Sequence, residues 1–118
     1  MAKISIVCNS SESRCVFPPL ILGSSAAASG DDLVLFYTPA GASAMVKGEL
    51  EKLKGTKGLP DPVELYDGIR DLGGKIIVCE LALGAKDLKA EDFREGVELA
   101  GATGFLNDIK DANITFSF

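Results

Sequence analysis

The 118-residue chain reads as a three-layer α/β/α sandwich on a mostly parallel sheet of four to five strands. Ile4–Cys8, Leu33–Tyr37 and Lys75–Cys79 are short, predominantly apolar runs, the pattern of strands covered by helices on both faces. Helix-prone stretches alternate with them, and strands alternating with helices build a parallel sheet through right-handed crossovers. Turn residues such as Gly30, Gly55, Gly58 and Gly73-Gly74 separate the segments.

Each element has its own signal. Ile4–Cys8 is a short buried strand, and Asn9–Arg14 a polar loop. Pro18-Pro19 is expected to open a helix, since proline suits the first turn, where no donor is needed. That helix runs through the small residues Ala26-Ala27-Ala28 and stops at Gly30. Leu33–Tyr37 is the second strand, followed by the turn Thr38-Pro39-Ala40-Gly41. A helix is expected over Ser43–Leu53, and another from Val63 to Leu72 after Pro60-Asp61-Pro62. Beyond the strand ending at Cys79, two short helices are expected over Glu91–Ala100 and Thr103–Lys110, joined at Gly101. Asn113–Phe118 is the last strand. No repeat or linker interrupts the chain, so residues 1–118 read as a single domain.

Composition narrows the function. A hydrophobic fraction of 47% supplies a core, and 25% charged residues match an ordinary globular protein. A net charge of −5 argues against nucleic acid as a partner, because no basic excess exists to release phosphate counterions. No apolar run reaches the roughly 18 residues of a membrane span. Met1–Val7 reads as the start of a strand rather than as a signal peptide. Three cysteines without C-x-x-C spacing argue against a disulfide framework and favour a reducing, cytoplasmic setting.

The chain has no histidine, which excludes Cys-His and Ser-His nucleophilic pairs within one chain. Cysteine is then the best nucleophile available. Cys8 ends the first strand, Cys15 follows in the loop, and Cys79 ends the third strand. All three map to the carboxyl edge of the sheet, where open α/β folds hold their ligands. Cys8 continues an apolar strand and fits the core. Cys15 reads equally as an exposed bystander or a second thiol, and Cys79 as functional or packing. Cys8, Thr38, Pro39 and Glu80 are the expected pocket around Cys79. Glu80, if close, raises the thiol pKa, and Lys86 would act the other way. Three thiolates without histidine match no known zinc spacing, so no metal is expected. The strand-to-helix turns match neither G-x-G-x-x-G nor the Walker pattern, and no nucleotide or other cofactor is expected.

The segment Lys75–Ala85, with Leu88, Asp92–Val97 and Ala112–Thr115, resembles the DsrE/DsrF-like family, which includes sulfur-relay subunits of the Tus and Dsr complexes. Pro18–Leu22 with Ala26–Ala28 is similar to the family's first helix, and Leu33–Thr38 to its second strand and turn. The likeness spans essentially the whole chain, as a single DsrE/DsrF-like domain. It implies an α/β sheet fold, a homo-oligomer such as a trimer or hexamer, and a persulfide carried on Cys79 with no cofactor. Sulfur-donor and sulfur-acceptor proteins are the implied partners.

Two readings follow. In one, the protein is a cytosolic sulfurtransferase or sulfur carrier using Cys79, with Cys15 a candidate second thiol. In the other, it is a non-catalytic oligomeric binding module whose carboxyl-edge pocket holds a small ligand or partner protein, and Cys79 is packing.

Overall fold

The computed structural model describes residues 1–118. Five strands form one sheet, β1 (Lys3–Cys8), β2 (Asp32–Tyr37), β3 (Lys75–Cys79), β4 (Val97–Ala100) and β5 (Ile114–Ser117). Their spatial order is β4-β3-β2-β1-β5, and every pairing is parallel. Helices α1 (Ser13–Ala28), α2 (Pro62–Asp71), α3 (Ala82–Ala85) and α4 (Ala102–Asp108) complete the three-layer α/β/α architecture.

Side chains alternate across each strand, so the two faces have separate cores. On one face Ile4, Ile6, Leu33, Leu35, Ile76 and Val78 pack beneath α1 and α2, which also pack on each other. On the other, Val34, Phe36, Ile77 and Cys79 meet Phe105 of α4. The first cluster has 19 buried residues and the second has 5, so the two faces are unequally covered.

Three expectations from the sequence need correction. The first helix begins at Ser13, not Pro18, and carries Pro18 and Pro19 inside it. Its first turn is closed by the Glu12 carbonyl, which accepts from the amides of Cys15 at 2.8 Å and Val16 at 3.0 Å. The prolines have no N–H, so the carbonyls of Arg14 and Cys15 receive no i+4 amide, yet Pro19 is buried and its packing carries the helix through. The expected helix over 43–53 is two 3₁₀ turns, Ala42–Met45 and Leu50–Leu53. Val46 is drawn into an antiparallel bridge with Phe93, and Gly48 takes φ +86°, a conformation that ends helical winding.

The third correction is the expected helix over 91–100. It is a 3₁₀ turn at Ala90–Asp92 followed by β4, which pairs with β3 from Ile76↔Val97 to Cys79↔Ala100. Hydrogen bonding beside β3 overrides local propensity there. The remaining elements follow their sequence signals. Asp61 caps α2 by accepting from the Val63 amide at 2.8 Å, with Pro62 at the first helical position.

Two turns at the carboxyl edge lie against each other. The Thr38 amide donates to the Cys8 carbonyl at 3.1 Å, and a Cβ on Gly41 would run into that same carbonyl oxygen. Gly41→Ala should destabilise the fold by about 2 kcal/mol, because backbone must move to admit the methyl group. Gly68, inside α2 with open space around it, should gain about 1 kcal/mol as alanine. Urea denaturation of the two variants checks both signs; equal midpoints would contradict the packing described.

Candidate functional site

The carboxyl edge gathers the ends of β1, β2, β3 and β4 with the turns that follow them. Cys8, Tyr37 and Val78 are neighbours in register, and all three face α1 and α2. Cys79 is one residue further along β3 and points to the opposite face. The sheet therefore stands between Cys8 and Cys79. All three thiols are free.

Cys8 is fully buried, and burial pushes its thiol up to about 12. A hydrogen bond with Tyr37 works against that shift, and the nearby Cys15 thiol adds to it. The Tyr37 hydroxyl is buried with no nitrogen or oxygen partner. It engages the Cys8 sulfur, a weak partner, and its own pKa is raised, by burial first and by Cys8 next. Cys15, half-buried in the first turn of α1, lies on the Cys8 side. It is within electrostatic reach of Cys8 and across the sheet from Cys79.

Cys79 closes β3 and is 3% exposed. It packs among Val34, Phe36, Ile77 and Phe105, with Val7 and Ala100 partly buried against the group. The rings of Phe36 and Phe105 stack at 4.2 Å and 13°, pinning α4 over this face. The Glu80 amide continues the ladder, donating to the Ala100 carbonyl at 3.0 Å. The Glu80 side chain is exposed and leans toward Gly101, where a Cβ would sit 3.2 Å from Oε1. Lys86 is exposed just beyond α3.

The structure thus brings Cys8 and Thr38 together, while Glu80 and Cys79 belong to the other side of the edge. The Thr38 hydroxyl donates to Asn9 Oδ1 at 2.5 Å and lies 3.4 Å from the Cys8 carbonyl, and Pro39 is half-buried in the same turn. A cavity of about 200 Å³ opens nearby between the β1–α1 loop and the 3₁₀ turns, with Ser11, Ser43, Glu49 and Lys52 on its wall. None of the residues expected in the pocket lines it. Its wall is held by Arg94, which forks Glu51 at 3.2 and 2.9 Å and sits 4.9 Å over the Tyr66 ring. That hydrogen-bonded pairing lowers the Glu51 pKa. No three metal-ligating side chains converge anywhere. Sequence reading missed Tyr37, Arg94 and Phe105, because each gains its role only from a neighbour distant along the chain. No helix is long and apolar enough to cross a membrane.

Fold and edge together define a three-layer α/β/α protein whose all-parallel sheet gathers its strand ends at one edge. The crystal structure of the ychN protein from E. coli matches at a TM-score of 0.81, with 20% identity and full coverage of both chains. An uncharacterized protein of Methanocaldococcus jannaschii is 36% identical over 83 residues, 68% of this chain. The chain spans 29% of that relative's length. No family model matches the sequence.

The buried acids predict alkaline sensitivity. Cys8 and Tyr66 are each pushed up to about 12 by burial, and Tyr37 is raised as well. Each stays protonated in the fold where its unfolded counterpart ionises. Their contribution to stability is complete below about pH 9 and is lost as pH climbs toward 12. Urea midpoints should fall steeply above pH 9, and Tyr37→Phe should flatten the fall with little loss at pH 7, since it removes a buried hydroxyl whose one partner is the weakly bonding Cys8 sulfur.

Proposed function

We propose that the protein is a cytosolic sulfur-relay protein that accepts sulfane sulfur on Cys79 and passes it on. The observation that carries this reading is the place of Cys79, the last residue of β3 at the carboxyl edge of an all-parallel sheet. The shared fold with ychN supports the same class. The reaction is balanced without a cofactor. The Cys79 thiolate attacks the outer sulfur of a donor persulfide, the donor's S–S bond breaks, and the donor leaves as a thiolate that takes up a proton. An acceptor thiolate then repeats the exchange on the Cys79 persulfide. Donor and acceptor are thiol proteins or small thiols.

A second reading is favoured by the 3% exposure of Cys79 and by the 200 Å³ cavity on the opposite face. In it the chain is a non-catalytic binding module, with Cys79 as packing. Intact mass spectrometry after incubation with a persulfide donor separates the two. The relay predicts a gain of one sulfur that reductant reverses and that Cys79→Ser abolishes. Loading that persists in Cys79→Ser removes Cys79 as the acceptor, and no loading of the unaltered chain from any donor supports the binding module.

The relay is proposed to operate as a homo-oligomer of three or six chains. Ile114 and Phe116 of β5 are 43% and 38% exposed, and Leu81 and Leu106 are 69% and 56% exposed, a load of apolar surface suited to subunit contact. Light scattering should give a mass three or six times 12.4 kDa, and a monomeric mass would remove the proposal.

A further inference from the structure

We propose that a groove between β3, β4 and α4 is the route by which a small sulfur donor reaches Cys79. Its rim selects a low-molecular-weight persulfide that carries an ammonium group. The donor class rests on the relay reading of Cys79, whereas the route itself is a statement about access to a buried thiol.

The thiol is 3% exposed and covered by the Phe36–Phe105 stack, so it needs a way in. A cavity of about 310 Å³ lies on the same face, with Lys75, Ile77, Glu98, Ala100, Gly104 and Asp108 on its walls. Ile77 precedes Cys79 by two residues on this face, and Ala100 is the register partner of Cys79 on β4. The groove therefore ends on two residues adjacent to Cys79, one along β3 and one across on β4, while Cys79 itself lies behind its wall. On the helix side the groove is kept open by Gly104. A Cβ there would meet only the Ala100 Cβ, at 4.0 Å, so this point of α4 has no side chain to fill the space.

The rim carries two carboxylates and one ammonium. Lys75 and Asp108 pair at 2.7 Å across the outer end, which leaves the exposed Glu98 as the uncompensated charge. A net negative rim attracts an ammonium and repels a dianion. Cysteine persulfide is of amino-acid size and carries an ammonium that the carboxylates of the rim can hold, whereas thiosulfate is a dianion with no cationic group. The Cys79 thiolate attacks the outer sulfur, the donor S–S bond breaks, and cysteine leaves as its thiolate; no oxidant is consumed.

The test uses the whole chain with two readouts. Iodoacetamide labelling of each cysteine is followed by peptide mass spectrometry, with half-buried Cys15 as internal standard. Sulfur loading is followed with cysteine persulfide and with thiosulfate. Gly104→Leu should slow Cys79 labelling about tenfold or more relative to Cys15. Glu98→Lys should move the ratio of loading rates toward thiosulfate by about fivefold, as expected for reversing one exposed charge. Unchanged Cys79 labelling in Gly104→Leu overturns the route, whatever the loading does. An unchanged donor ratio in Glu98→Lys overturns the donor class. Groove-dependent labelling with no loading in the unaltered chain supports the route and sinks the relay chemistry, and the donor class with it. If Gly104→Leu fails to fold, reagents of increasing width on the unaltered chain serve instead. Their Cys79 rate should fall relative to Cys15, and a constant ratio overturns the route.

Discussion

The handedness of parallel crossovers is the constraint on which this molecule depends. A strand, a crossover and a neighbouring parallel strand wind to the right, so the direction of each step decides which face its helix covers. The chain steps from β1 through β2 and β3 to β4 in one direction, which puts α1 and α2 on the same face. It then returns past β3, β2 and β1 to lay down β5, and this single reversed step carries α4 across the other face. One face receives two long helices and the other receives seven residues of helix. Because Cys8 and Cys79 point to different faces, that inequality gives one thiol a deep core and the other a thin cover.

The strands that could be read from the sequence are those whose burial is set by their own residues. Leu33–Tyr37 is apolar at every position and has nowhere to go but the middle of a sheet. Lys75–Cys79 and Ile4–Cys8 follow the same logic. β4 was not legible: Val97-Glu98-Leu99-Ala100 has no strand signature, and it is extended because β3 offers it an open edge. The same holds for the 3₁₀ turns between 42 and 53, which are held by backbone contacts to Asp92, Phe93 and Arg94. Pro18-Pro19 misled for a different reason, since proline within a helix is costly and its place in the second turn depends on packing against the sheet.

The site was legible by position and not by neighbourhood. The sequence places three cysteines at the carboxyl edge, and that edge is where the structure has them. Which thiols share a face depends on strand register, and a shift of one residue would exchange the faces of Cys8 and Cys79. Tyr37 shows the same dependence. As the last residue of an apolar strand it reads as core, yet its hydroxyl is the one buried polar side-chain atom left without a nitrogen or oxygen partner, and it lies against Cys8. The likeness to ychN at 20% identity fixes the architecture and is silent about which of these thiols reacts.

The short helix over Cys79 has a thermodynamic consequence of its own. Seven residues are too few to form a stable helix alone, so α4 persists because Phe105 docks on Phe36 and Asp108 holds Lys75. Undocking it would leave β1, β2, β3 and the α1–α2 layer intact. The protection of the Cys79 sulfur is therefore a local free energy, smaller than that of global unfolding and separable from it. Substitutions at the α4 contact change how often the sulfur is uncovered, by an opening that does not require the sheet to unfold.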